Sequence, residues 1–188
     1  MFSLPTLSLK GKVSEQEWQT RVDLAACYRL VADMRWGDLI YTHISAKVPG
    51  TEHYLVNAFG LTFDEVTASN LVKVDLEGNI LDDTPYGINP AGFTIHSAIH
   101  EVRHDAQCVI HLHTLATISV ASVKGGLKPW SQYSMFSLPS LSYHSYEGLA
   151  VDDREKKRLQ DDLGDTNHML LPNHGGLTLG PTVGDAFM

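Results

Sequence analysis

Residues 89–114, NPAGFTIHSAIHEVRHDAQCVIHLHT, predict a helix followed by a buried strand that ends in two histidines. Asn89 suits the N-cap of a helix, and Pro90 suits its first position, where no N–H is needed. The apolar residues that follow recur at helical spacing, namely Ala91, Ile95, Ala98, Ile99 and Val102. Residues 107–112 form a short apolar run that is typical of a core strand. We therefore expect this helix and strand to form the centre of the fold.

The end of the predicted strand carries the pattern His-x-His. His111 and His113 would lie on the same face of the strand, so both imidazoles could bind one zinc ion or a similar late divalent metal. His174, in LLPNHGGLTLG, is the best third ligand, since it follows an apolar strand and precedes Gly175 and Gly176, where we expect a sharp turn. Three histidines with an open position are typical of a catalytic metal site. Because His-x-His is a common pattern, a structural role bonded to the backbone stays open on spacing alone.

A second metal pattern lies upstream of this one. His100 to His104 matches H-E-x-x-H, the zinc metalloprotease motif. The motif lies at the end of the predicted helix, where Arg103 and Asp105 favour a solvated face and His104 should project into water. A frayed helix end is a poor platform for two ligands, so we interpret this match as a coincidence.

The remaining pattern predicts short strands mixed with helices. Ser14 followed by Glu17 resembles a capping box and starts a helix. The predicted helices span residues 15–33, 62–70, 114–122 and 152–163, with a further start at 182–185, and the predicted strands span residues 39–48, 53–57, 71–76, 80–81, 168–171 and 177–179. Residues 125–139 are predicted as loop. Strands and helices do not alternate regularly, which favours an α/β sandwich over a doubly wound sheet.

Composition restricts the function classes. The 188 residues are 43% hydrophobic and 19% charged, as expected for one globular domain. A formal net charge of -8 argues against binding to nucleic acid or to an anionic membrane. Cys27 and Cys108 lie among apolar residues, which predicts buried thiols in a reducing cytoplasm. Neither a signal peptide nor a membrane span is expected.

Several motifs in order resemble the class II aldolase/adducin family. They are the stretch 89–114 quoted above, SYHSYEG and LLPNHGGLTLG, while LIYTHISAKVPG and NAFGLTFDEVTASNLVKVDLEGNI resemble its adducin-like branch. The resemblance covers roughly residues 15–188. It implies a three-layer α/β/α sandwich with a mainly antiparallel central sheet, as a single domain over residues 1–188. The family usually continues into a further helix and tail, which this chain would then lack.

The resemblance also implies a cofactor and partners. A divalent metal, usually Zn²⁺, with Mn²⁺, Co²⁺, Ni²⁺ or Fe²⁺ as alternatives, would be held by three histidines that match His111, His113 and His174. It implies a homo-oligomer, commonly a tetramer, that acts on a small molecule. The net charge and the two cysteines, described above, predict a cytoplasmic protein with no nucleic acid or membrane partner.

The chain departs from the aldolase pattern around this cage. The glutamate that moves the proton in sugar-phosphate aldolases matches Gly92, and the serines that hold the substrate phosphate match Pro90 and Ala91. Their phosphate-loop threonine matches Phe59, and their asparagine near the first strand matches His43. Loss of a general acid/base costs about 100- to 10,000-fold in rate. We therefore expect a poor sugar-phosphate aldolase.

Three residues could replace the missing catalyst. Tyr143 falls near a tyrosine that the aldolases supply from a neighbouring subunit, Glu147 lies in the same SYHSYEG stretch beside His144, and His96 lies one helical turn after Gly92. Each could equally be a packing, surface or buried structural residue. The sequence thus predicts a metal-dependent, lyase-like enzyme acting on a small hydroxy-carbonyl or sugar-like substrate, with a non-catalytic adducin-like assembly or binding module as the alternative.

Overall fold

The computed structural model describes residues 8–148 and 153–188, and shows a seven-stranded sheet between two layers of helices. The helices are α1 (Glu15–Asp33), α2 (Pro90–Val102), α3 (Leu115–Ala121), α4 (Gln132–Ser137), α5 (Asp153–Leu163) and α6 (Val183–Phe187). The strands are β1 (His43–Lys47), β2 (Tyr54–Val56), β3 (Val72–Val74), β4 (Cys108–Leu112), β5 (Leu141–Tyr143), β6 (His168–Leu171) and β7 (Gly175–Gly180).

The strands follow the order β3-β2-β1-β4-β7-β6-β5. Every neighbouring pair is antiparallel except β5 and β6, which are parallel. Strand β4 is therefore central, with β1 on one side and β7 on the other. In this register His111 of β4 lies between His43 of β1 and Leu177 of β7. The first predicted metal ligand is thus buried in the middle of the sheet.

Helices cover both faces of the sheet. Helix α1 begins where the Ser14 hydroxyl accepts the Glu17 N–H, and its apolar stripe packs on one face together with Ala186 of α6. Helices α2 and α5 pack on the other face through Ile95, Ile99 and the apolar residues of α5. The predicted three-layer α/β/α sandwich with a mainly antiparallel sheet is confirmed.

Several local predictions were wrong. The segment predicted as loop over residues 125–139 contains α4, which Ser131 caps by accepting the Ser134 N–H, and the short strand β5 follows it. The strand predicted from residue 39 begins at His43, because Leu39 has a positive φ of 48° that a strand cannot accommodate. The helix predicted over residues 62–70 is only a 3₁₀ turn, Phe63–Glu65.

The turn before β7 also differs from the prediction. The chain reverses at Pro172, Asn173 and His174, with Asn173 in the left-handed region at a φ of 61°. Gly175 and Gly176 belong to β7 itself. They are small because neighbours approach closely: a Cβ on Gly175 would lie 2.6 Å from the Leu112 carbonyl oxygen, and the prediction that these glycines form the turn was wrong.

Cys27 and Cys108 are free and buried, as predicted, and burial raises the pKa of the Cys27 thiol to about 12. Over the described ranges, none of the helices combines the length and hydrophobicity that a membrane crossing requires. The helix predicted from Asp152 is α5, and Asp152 itself lies outside the described residues.

Candidate metal centre

The end of one strand and one turn bring the three predicted histidines together. His111 and His113 come from the end of β4 and from the residue just after it, and His174 comes from the turn between β6 and β7. One nitrogen from each ring can be chosen so that all three lie within 4.8 Å of one another. His111 is fully buried, whereas His113 and His174 are partly exposed, so the cluster is open on one side only.

The hydrogen bonds of the cluster fix which nitrogens face its centre. The Nδ1 of His111 donates to the carbonyl oxygen of Gly176 at 3.1 Å, and the Nδ1 of His113 donates to the carboxylate of Asp38 at 3.0 Å. The Nε2 atoms of these two rings then face each other at 3.0 Å. With the proton on Nδ1 in each ring, two lone pairs converge, and such a pair is favourable only around a cation or a shared proton.

Burial argues against the shared proton. It lowers the pKa of His111 well below the usual range, and repulsion from His43 and His174 adds to this. Burial, followed by repulsion from His113, lowers the pKa of His174 to about 4. The rings of His111 and His174 are therefore neutral near pH 7, and neutral imidazole nitrogens are donors that zinc and other late divalent metals prefer. The residues fit such a metal.

Asp38 is a member of the site that the sequence did not reveal. It lies in the turn between α1 and β1, where its backbone N–H contacts the Thr42 hydroxyl at 3.2 Å. Carboxylates commonly accept the outer N–H of a metal-binding histidine and so fix the ring and its tautomer. A single aspartate in a polar turn gives no indication of this role in the sequence, because its partner His113 is 75 positions away.

His43 occupies the space next to Gly92. A Cβ built on Gly92 would lie 2.7 Å from Cδ2 and 2.9 Å from Cγ of the His43 ring. This ring stacks obliquely on His111, with 5.0 Å between ring centres. The position that matches the aldolase glutamate therefore has no room for a side chain while the imidazole of His43 stays in place.

His96 does not belong to the cluster of three rings. It is fully buried, and its Nε2 lies 2.7 Å from Nδ1 of His43, so it contacts the cluster only through His43. Burial, followed by repulsion from His100, lowers the pKa of His96 well below the usual range.

Tyr143 and Glu147 are held by other partners, although Glu147 lines the same small cavity as His174. The Tyr143 hydroxyl accepts the backbone N–H of Leu127 at 3.0 Å and so holds the loop after α3. Glu147 pairs with Arg158, with 2.7 Å between Nε and Oε1. Neither belongs to the group of side chains that could share a metal within residues 8–148 and 153–188.

The H-E-x-x-H match does not form a site of its own. Helix α2 ends at Val102 and His104 is exposed, as expected, while His100 is buried and bonds Ser45. Arg103, which was expected to lie on a solvated face, is instead buried. Its guanidinium pairs with Asp105 at 2.8 Å and donates to backbone carbonyls after α5, so that expectation was wrong.

Comparisons with known proteins agree with this fold. The profile of the class II aldolase and adducin N-terminal domain matches residues 22–188. A Pseudomonas aeruginosa protein with a provisional aldolase class 2 name is 63% identical over 99% of this chain and 71% of its own length. Alpha-adducin of Rattus norvegicus is 47% identical over 97% of this chain, which corresponds to only 26% of that protein.

Solved structures give the same result. An aldolase II superfamily protein from Pseudomonas syringae superimposes with a TM-score of 0.92 at 56% identity, covering 96% of this chain and 73% of that one. L-fuculose 1-phosphate aldolase from Glaciozyma antarctica superimposes with a TM-score of 0.82 at 27% identity, covering 98% and 72%. Sequence and fold thus lead to one assignment: the chain belongs to the class II aldolase and adducin family.

Proposed function

We propose that this chain is a metal-dependent, lyase-type enzyme domain that acts on a small hydroxy-carbonyl or sugar-like molecule. The observation that carries the proposal is the pair of Nε2 atoms of His111 and His113, which face each other at 3.0 Å while both Nδ1 atoms are held by acceptors. His174 completes the donor set. Such an arrangement is costly in a purely structural role, since it holds polar lone pairs together without a donor.

His111, His113 and His174 would hold the metal, and Zn²⁺ is the metal that we favour. When bound, a divalent metal supplies Lewis-acid polarisation of a carbonyl oxygen. The chain's own residues orient the ligands: the Gly176 carbonyl fixes the ring of His111, and Asp38 fixes that of His113. The partly exposed side of the cluster, between His113 and His174, is where a small molecule could enter.

The substrate that fits best carries no phosphate. Pro90 and Ala91, at the start of α2, offer no side-chain hydroxyl, and Phe59 is partly exposed with an apolar ring. A phosphate needs charge-assisted or hydroxyl hydrogen bonds, which these three side chains cannot supply. We therefore expect weak cleavage of ketose 1-phosphates and better activity on unphosphorylated hydroxy-carbonyl compounds.

The second candidate function is an adducin-like assembly module. It is favoured by the 47% identity to alpha-adducin, higher than the 27% to the L-fuculose 1-phosphate aldolase described above. Large apolar side chains are exposed around α3 and α4, namely Leu115, Val123, Trp130, Tyr133 and Phe136. Exposed apolar surface of this kind is typical of interfaces. For either function we propose a homo-oligomer, with a tetramer favoured.

One experiment separates the two functions. Purified protein is loaded with zinc, its metal content is measured, and hydroxy-ketones, hydroxy-aldehydes and ketose 1-phosphates are assayed for cleavage. We expect about one zinc per chain and turnover of an unphosphorylated compound, both abolished by His111→Ala and both retained in the matched control His104→Asn. Absence of zinc binding by the wild type would refute the enzyme proposal, and zinc binding without turnover of any compound would favour the assembly module.

A further inference from the structure

A small cavity lies beside the metal centre, between the segment 144–148 that follows β5 and helix α5. The proposed metal ligand His174 forms part of its wall, and Ile95, Leu159 and Leu171 form an apolar part. The volume of the cavity is about 10 Å³, which suits one oxygen-sized group. Because one ligand of the metal lines it, the cavity borders the space where a small molecule would bind.

One buried ring nitrogen faces this cavity without a partner. His144 is 3% exposed, and its Nδ1 donates to the carboxylate of Asp162 at 2.8 Å, which holds the ring in place. The Nε2 of the same ring is buried and forms no hydrogen bond within the described part of the chain. The carboxylates near this nitrogen are those of Glu147 and Glu155, and both line the cavity, so Nε2 is the end of the ring that points into it. A buried polar atom left without a partner is costly, which points to a ligand.

The two carboxylates are placed around this nitrogen but do not bond it. The Oε1 of Glu155, a residue that is 7% exposed, lies 3.5 Å from Nε2 of His144, and the Oε1 of Glu147 lies 4.0 Å from it. Both distances exceed the roughly 3.2 Å at which such hydrogen bonds normally end. Glu147 is held in this position by Arg158, with 2.7 Å between Nε and Oε1. The cavity therefore presents one ring nitrogen and two carboxylates to whatever enters it.

These three groups select for a hydroxyl group. A hydroxyl can donate to a carboxylate, and it can donate to a bare ring nitrogen or accept from a protonated one, so it pairs with His144 in either state of the ring. A methyl group would leave Nε2 of His144 without a partner. A phosphate or carboxylate group would face the like charges of Glu147 and Glu155, whose repulsion is strong away from water.

We propose that this cavity is a hydroxyl-binding subsite of the metal centre, in which His144 and Glu155 bind a hydroxyl group that the substrate carries beyond its carbonyl. This inference rests on the proposed function and narrows it. The substrate class becomes a hydroxy-carbonyl compound with at least one further hydroxyl group and without an anionic group at that end.

Three four-carbon compounds test the subsite. Erythrulose carries hydroxyl groups beyond its hydroxy-ketone part, 1-hydroxy-2-butanone has the same hydroxy-ketone part without them, and erythrulose 4-phosphate carries an anion at that end. Binding to the zinc-loaded full chain is measured by NMR titration. We expect erythrulose to bind about 5- to 150-fold more tightly than 1-hydroxy-2-butanone, the range for pairing a buried polar atom that otherwise lacks a partner, and more tightly than the phosphate. Equal binding of erythrulose and 1-hydroxy-2-butanone would overturn the inference.

Two variants assign the selectivity to the cavity. His144→Phe keeps a ring but removes both nitrogens, so it should lose the preference for erythrulose and keep the zinc content and the affinity for 1-hydroxy-2-butanone. Glu155→Gln removes one charge at constant size, so it should reduce the discrimination against erythrulose 4-phosphate. His104→Asn is the matched control, since it removes an exposed histidine at the end of α2. A full preference for erythrulose in His144→Phe would overturn the role of His144, and if that variant does not fold, unchanged discrimination in Glu155→Gln would overturn the subsite.

A direct readout comes from the ring itself. In ¹⁵N-labelled, zinc-loaded protein the Nε2 resonance of His144 should shift when erythrulose is added and stay unchanged with 1-hydroxy-2-butanone. If both compounds bind the zinc-loaded protein and neither moves this resonance, the inference is wrong while the proposed function stands. If neither compound binds the zinc-loaded protein, the proposed function fails and the inference fails with it.

Discussion

The contact between Gly92 and His43 can be tested by a double-mutant cycle on stability. In Gly92→Ala the new methyl group would lie 2.7 Å from Cδ2 of His43, closer than carbon atoms can approach. Overpacking of this kind costs about 1–3 kcal/mol. Alanine also stabilises a helix interior by about 1 kcal/mol relative to glycine. The net effect in the wild type should therefore be a loss of about 0–2 kcal/mol.

The same substitution should raise the free energy of unfolding when the His43 ring is absent. In the background His43→Ala the three atoms that would lie nearest the new methyl group have been removed, so Gly92→Ala should stabilise the protein by about 1 kcal/mol. The coupling free energy between the two positions should be about 1–3 kcal/mol, within the range found for residues in contact. For a chain of this length, 1 kcal/mol corresponds to a Tm shift of about 2–4 °C.

The assay is urea unfolding of all four proteins after metal removal by a chelator, followed by circular dichroism. Metal is removed so that the free energy of unfolding reports the chain alone. If Gly92→Ala changes the free energy of unfolding equally in both backgrounds, the two residues are not in contact, and the account of His43 filling this space is refuted.

Three further predictions concern the cluster of histidines. Asp38→Asn should weaken zinc binding by about 10- to 100-fold, measured by chelator competition, because the outer N–H of His113 loses its carboxylate; unchanged affinity would contradict the orienting role. Gly175→Ala should also weaken zinc binding in that assay, since its methyl group would lie 2.8 Å from Cδ2 of His113. The metal-free protein should lose stability as pH falls from about 6.5 toward 3–4, because burial lowers the pKa of His174 to about 4 and of His100 to about 3, and the unfolded chain then binds more protons than the folded one. A urea midpoint that is flat across this range would contradict these shifts.

The sequence predicted the pair His111 and His113 from strand alternation, and it predicted His174 and the three-layer sandwich from local cues together with the family resemblance. Strand alternation places His111 and His113 on one face, and capping by Asn89 and Pro90 starts α2 where it was predicted. Helix α4 was missed because it has only six residues and lies between Gly125, Gly126 and Pro129 on one side and Pro139 on the other. No periodicity can be read from so few positions.

The supporting residues could not be predicted, because they depend on distant contacts. Asp38 contacts His113, which lies 75 positions away in the sequence. The contact between the rings of His43 and His96 joins β1 to α2 across 53 positions. Gly92 was interpreted from the sequence only as a lost glutamate. The structure adds that the ring of His43 fills the space beside Gly92, which a comparison of sequences cannot show. Gly175 was taken for a turn residue, whereas it is small because Leu112 and the His113 ring approach it closely.

The central position of β4 has a consequence for how metal would leave the site. A strand bonded on both sides in the middle of a seven-stranded sheet opens only with the whole domain, so the His111 amide should be among the last to exchange with deuterium. His174 lies instead in the turn of Pro172, Asn173 and His174, where Asn173 has a positive φ. We expect this turn to open locally at a much lower free energy than β4. The ligands therefore belong to cooperative units of unequal stability, and metal release should begin with the turn while β4 stays folded.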